Sequence, residues 1–193
     1  DIVEDREIED NYFFNIVKDN SLYHDDPDCT EGWMPPRHNR FHVPKYEYKN
    51  EDEVPIPPSL REAIMSFILT SACRNYRGYI EDGKSMLIHV SKFQDVQQIV
   101  YRQVSDYMDV LRSRMQASHY LHDETISKFE EIWQKNFYVH KDKTEEKMPT
   151  WQDLLDHKYS IKFIINEICR NIKVLNGKSD DILDYDNFVN END

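Results

Sequence analysis

Gly78, Gly83 and the pair Lys84-Ser85 spell G-x-x-x-x-G-K-S, the spacing at which backbone N–H groups wrap a nucleotide's phosphates while the lysine and hydroxyl meet the terminal phosphate and magnesium. That chemistry has a structural condition. A strand must deliver the first glycine and a helix must begin at the Lys-Ser, so that helical N–H groups point at the anion. The residues around the motif reverse this order.

Upstream, Ser59-Leu60-Arg61-Glu62 after Pro57-Pro58 has the form of a capping box, in which the serine accepts from a backbone N–H and the glutamate reaches back. Leu60, Ala63, Ile64, Phe67, Ile68 and Ala72 then recur at helical spacing, and Gly78 is a natural left-handed terminator. A helix therefore enters the loop. Downstream, Met86 to Val90 is a short apolar run, and Ser91-Lys92-Phe93-Gln94 repeats the capping pattern. Val96, Ile99, Val100, Val104, Tyr107, Met108, Leu111 and Met115 form the stripe of a second helix beginning near Lys92, too late for a phosphate loop at Lys84-Ser85. No apolar strand ends in the acidic residue that would hold magnesium. The expectation is an extended segment leaving Ser85; a nucleotide loop at Gly78, Gly83, Lys84 and Ser85 is the alternative.

A second chemistry lies at the end of that segment. Ser91 could donate to a phosphate, Lys92 supplies charge and His89 is close in sequence, which together suit a nucleic-acid phosphate at a strand's carboxyl end. Equally, Ser91 caps its helix and His89 sits in the core. Arg74 and Arg77, three apart on one helix, could reach a nucleotide or DNA phosphate, or complement the helix C-terminus and pair with Glu81 or Asp82. His24, Asp25, Asp26, Asp28, Cys29, His38 and His42 match no standard metal spacing, so no metal site is expected. No nucleophile triad can be placed, and no catalytic residue is assigned.

The elements that must position these groups form an ordered centre with acidic flanks. Net charge is −13 over 193 residues. Residues 1–58 hold 15 acids and 6 bases, 59–136 hold 10 of each, and 137–193 hold 12 acids and 8 bases. Such a balance argues against gripping nucleic acid by bulk charge and leaves room for a local basic spot. Cys29, Cys73 and Cys169 are odd in number and unpaired in spacing, which fits a reducing cytoplasm. No run approaches membrane-spanning length. Both ends read as cut from a longer polypeptide.

Three regions follow. Residues 1–58 are an acidic connecting segment punctuated by prolines, with an amphipathic start at Ile8, Tyr12, Phe13, Ile16 and Val17 and aromatic residues from Phe41 to Tyr48 suited to a companion surface. Residues 59–178 are a helical α/β domain. Beyond its first two helices come a turn at 118–123, a helix with Ile126, Phe129, Ile132 and Trp133 inward, a charged loop at 141–147, a short helix capped by Thr150, and a helix carrying Ile161, Ile164, Ile165 and Ile168. Residues 179–193 are a loose acidic tail. Residues 85–90 and 171–176, apolar and separated by helices, read as short parallel strands, half of an open α/β lobe whose other strands come from elsewhere.

Pro58-Ser59-Leu60-x-x-Ala63-Ile64, Ala72-x-Arg74-x-x-Arg77-Gly78, and Ser85-Met86-Leu87-Ile88-His89-Val90-Ser91 resemble the Z1 domain, a region of bacterial endonuclease-like proteins with a helicase-like superfamily-two ATPase core. Val174-Leu175-Asn176-Gly177-Lys178-Ser179 with Leu183-Asp184-Tyr185 is similar to the same family's next strand and turn, and Lys92 stands where arginine is expected. The resemblance covers residues 55–186. It implies a partial second RecA-like lobe with a helical insertion and an irregular N-terminal segment. It also implies a parent protein that uses ATP and magnesium bound outside this chain, acts on DNA, and holds the chain against its remaining domains. The chain alone would then hydrolyse nothing. A free-standing nucleotide-binding protein and a helical protein-interaction domain with acidic docking ends are the competing readings.

Overall fold

Tandem prolines at 57 and 58 fix where α1 (Pro58–Tyr76) begins, because a proline at the first helical position lacks only an N–H that would be unbonded there. The computed structural model describes residues 18–21, 26–46, 54–117, 120–143 and 146–175. The expected capping box does not form. Ser59 lies inside the helix, and its backbone N–H and hydroxyl both donate to the Asp19 carboxylate, at 2.8 and 2.5 Å. A residue remote in sequence thus satisfies one of the free N–H groups of the helix. Glu62 turns outward instead and accepts from the Asn136 amide at 3.1 Å.

The buried stripe of α1 is Ile64, Met65, Ile68, Leu69, Ala72 and Cys73, one step rotated from the expected set, with Ala63 exposed. Its end is as the sequence suggests. Gly78 has φ +94°, the Gly78 N–H donates to the Asn75 carbonyl and the Tyr79 N–H to that of Arg74, a Schellman closure. Helix α2 (Gln94–Gln116) starts two residues later than its pattern implies. Its inward face carries Val96, Val100, Val104, Met108, Leu111 and Met115.

Helix α3 (Tyr120–Asn136) and α5 (Ile161–Arg170) each pack on both α1 and α2, and the short α4 (Trp151–Asp156) packs on α1 and α5. Ile68, Leu69, Val96, Phe129, Trp133 and Ile161 meet where these helices converge, all 0% exposed. Thr150 caps α4 with a complete capping box: its hydroxyl accepts from the Asp153 N–H, and the Asp153 carboxylate accepts from the Thr150 N–H. Those bonds, from the backbone first, hold the Asp153 carboxyl below its usual pKa. A 3-10 helix at Tyr138–Lys143 runs into the start of the expected loop at 141–147.

The α/β expectation is overturned. The described residues contain helices and no strand or sheet, so neither the parallel pair at 85–90 and 171–176 nor a RecA-like lobe is present among them. The apolar side chains of these segments serve helix packing instead. Met86, Ile88 and Val90 lean on the helical core, as does Ile172, while Leu87 is 80% exposed. Residues 85–90 make no backbone hydrogen bond to any described residue, and without a ladder an extended chain is not a strand. Residue 176 lies outside the described residues.

The stretch 26–46 contains no regular element. It packs on the helices of its own chain. Trp33 and Met34 are 3% and 5% exposed within the main core. The Trp33 indole N–H donates to Gln103 Oε1 and Gln103 Nε2 donates to the Pro44 carbonyl, both at 2.8 Å, so one buried amide of α2 fastens two points of the segment. Phe41 is exposed and Tyr46 packs inward. The amphipathic start at 8–17 and the tail at 179–193 lie outside the described residues.

Candidate functional site

Lys84 decides what the glycine-flanked loop can do. Its ammonium donates to the carbonyls of Tyr79, Ile80 and Asp82, at 2.6, 3.3 and 3.0 Å, using its three donors within the loop itself. Partial burial lowers its pKa, and the charge of Arg74 adds to this. A helix arrives at Gly78, an extended segment leaves Ser85, and the next helix waits until Gln94. The loop is a knot tied by a lysine, and it lacks the helical N-terminus that would aim N–H groups at a phosphate.

The arginines beside it are engaged. Arg74 pairs with Asp82 at 3.1 Å and lies over the Tyr79 ring. Arg77 pairs with Glu146 at 2.6 Å and donates from Nε to the Lys147 carbonyl at 3.0 Å, tying the end of α1 to the stretch before α4.

Ser91 is 4% exposed, with both hydrogen-bonding functions used inside the molecule. His38 Nδ1 is 2.8 Å from the Pro35 carbonyl, which can only accept, so Nδ1 carries the proton. In the neutral ring Nε2 then accepts from the Ser91 hydroxyl at 2.9 Å, while Ser91 Oγ accepts from the Phe93 N–H at 3.1 Å. His42 Nε2 meets the Trp33 carbonyl at 3.0 Å. These histidines serve as fasteners for the 26–46 segment. His89 and Lys92 are exposed, with the Lys92 ammonium 5.3 Å from the Phe93 ring centre. Hence the five nominated residues do not converge: Arg74 and Arg77 sit near the loop, Ser91 is inside, and His89 and Lys92 face outward. Among the described residues no three metal-capable side chains gather.

A different concavity lies between α1, α2 and α3. It is a cleft of about 230 Å³ whose floor includes Met65, Tyr107, Leu111 and Ile132. Its walls carry Arg61, Arg114, Lys128 and Lys135 against the carboxylates Glu62 and Glu131. Sequence reading passed over these cations because each looks like a solvated helix position. The available signal was that Arg61 lies three and four positions before Ile64 and Met65 of α1, and Arg114 three positions after Leu111 of α2.

The Z1 domain family model matches residues 59–192. No curated protein and no solved structure matches the chain. No helix among the described residues is long and apolar enough to cross a membrane.

Proposed function

The chain belongs to the Z1 domain family, and on that premise we propose that it is a non-hydrolysing helical module of a bacterial, cytoplasmic, ATP-dependent DNA-processing enzyme. One observation carries the reading that this chain does not turn over nucleotide: the lysine of its sole phosphate-loop motif is consumed by three carbonyls. The endonuclease-like and helicase-like character of the parent, with its ATP and magnesium, is supported by family membership and by the Ser85–Ser91 block. Contact with DNA phosphate falls to His89 and Lys92, the exposed pair among the nominated residues. The other domains of the parent are the expected partners.

Titration of the chain with magnesium ATP tests this directly. Lys84→Ala is expected to leave any nucleotide affinity unchanged while loosening the 79–84 loop. Saturable ATP binding that disappears in Lys84→Ala would overturn the proposal and install a nucleotide pocket.

One feature favours a protein-interaction role beside this one. Residues 85–90 offer six extended residues whose backbone groups bond to no described residue, with Leu87 at 80% exposure. An exposed extended edge of this kind is a template for a partner's backbone.

A further inference from the structure

Four partly exposed rings follow one another across the end of α1 and the connection from α4 to α5. Tyr76 is the last residue of α1, His157 directly follows α4, Tyr159 lies in the connection and Phe163 stands in the first turn of α5. Their ring centres are 5.6, 5.8 and 5.1 Å apart in that order, with planes inclined by 69°, 48° and 82°. None lies flat on its neighbour, so the strip is a row of separate rings and not a closed stack. Local bonds hold the row. His157 Nδ1 accepts from the Tyr159 N–H at 3.2 Å, and the Tyr76 hydroxyl interacts with both Lys147 and Asp153.

Two exposed ammonium groups lie over these rings. Lys147 Nζ is 5.0 Å from the Tyr76 ring centre, and Lys158 Nζ is 5.1 Å from that of Tyr159. A ring face covered only by the tip of an exposed lysine opens to water, because a hydrated ammonium on a flexible stem is a movable cover. Lys162, one position before Phe163, is exposed as well.

The carboxylates that flank these lysines in sequence are engaged locally. Glu146 pairs with Arg77, Asp156 accepts from the Gln152 amide at 2.6 Å, and Asp153 closes the capping box of α4 while also attracting Lys147. In a chain of net charge −13, this is a place where an anion meets lysines beside aromatic faces.

Ring faces at close intervals with cations among them suit the bases and phosphates of an unpaired nucleic-acid strand. Bases stack on such faces with little regard to sequence, while lysines follow the backbone. A duplex keeps its base faces inside, and an acidic peptide has none to offer, so neither makes use of the rings.

We infer that Tyr76, His157, Tyr159 and Phe163 form a stacking platform for a single nucleic-acid strand, with Lys147 and Lys158 turning from the ring faces to its phosphates and Lys162 adding charge. The inference goes beyond the DNA-processing reading: it uses neither His89 nor Lys92, and it holds for the chain by itself.

The test is fluorescence anisotropy of the chain with dye-labelled oligothymidine, oligouridine, a duplex of the same length and polyglutamate, joined to NMR of the aromatic side chains. A single strand is expected to bind saturably, the tighter of the two identifying the kind of strand, with weaker binding of duplex and none of polyglutamate. Ring currents of the stacked bases are expected to move the Tyr76, Tyr159 and Phe163 ring signals upfield. Tyr159→Ala is expected to weaken binding about tenfold, the scale of one lost stacking contact, while Tyr159→Phe keeps the affinity within about twofold. Lys158→Gln, an exposed change that keeps the fold, is expected to lower the salt dependence by about one phosphate contact. The inference is overturned by an absence of saturable binding, by duplex or polyglutamate binding as tightly as the single strand, by ring signals that stay in place, or by an affinity that Tyr159→Ala leaves intact. Binding lost in Lys92→Ala and kept in Tyr159→Ala would also overturn it, while the phosphate contact of His89 and Lys92 would stand.

Discussion

Trp133→Ala is expected to destabilise the chain by about 3–5 kcal/mol, the range for removing a large aromatic side chain from a core. Trp133 is 0% exposed and stacks on Phe137 with ring centres 5.5 Å apart. It lies in α3, the helix that packs on both α1 and α2, so the void would open where three helices meet. Domains of this size have a net stability of about 5–15 kcal/mol, which makes such a loss a large share of the whole. Trp133→Phe is expected to cost much less. It keeps an aromatic ring and removes an indole N–H that is buried without an acceptor among the described residues. Urea unfolding of the two variants checks this, and equal midpoints would show that α3 does not hold the bundle together.

Gln103→Leu carries the second large effect. The substituted side chain is apolar and similar in size, so the helix itself should tolerate it. What it leaves behind is a buried Trp33 indole N–H and a Pro44 carbonyl without their partner, at about 1–3 kcal/mol for each. Both stranded groups belong to the 26–46 segment. That segment has no backbone ladder to fall back on, so it is expected to detach before the helices melt. Limited proteolysis would then cut within 26–46 in the variant under conditions that spare the wild type. Unchanged cleavage together with an unchanged unfolding midpoint would mean that the segment is held by apolar burial of Trp33 and Met34 alone.

These two residues also mark what the sequence did and did not disclose. Trp133 was legible, because an apolar residue at helical spacing with Phe129 and Ile126 has one reasonable use. The helices were legible for the same reason, and so was the Gly78 closure, which follows from the conformational freedom of that residue alone. Gln103 was not. A glutamine on an otherwise apolar face has no local signature, and its partners lie about sixty to seventy positions away. The Asp19–Ser59 and His38–Ser91 bonds are hidden in the same way, and each displaced a local capping pattern from its expected use.

The strands were misread for a related reason. A short apolar run such as Met86–Val90 marks a segment that meets a core, but it does not tell a ladder-paired strand from an extended chain lying on helices. Helices supply the surface against which Met86, Ile88 and Val90 pack, so no sheet is needed to bury them. For the phosphate-loop motif, context was decisive. The position of the next helix could be read from its stripe, whereas the three carbonyls that capture Lys84 could not be anticipated from spacing. Likewise Arg61 and Arg114 are ordinary helix cations until the packing of three helices brings them to one cleft.

The central claim is that the chain leaves Lys84-Ser85 as an extended segment and does not wind into a helix around phosphates. Backbone carbon chemical shifts of residues 84–94 measure this most directly, with and without magnesium ATP. Extended values from Ser85 through Val90, helical values starting at Gln94 and no change with nucleotide are the predicted result. Helical values starting at Lys84, or appearing there when ATP is added, would contradict it.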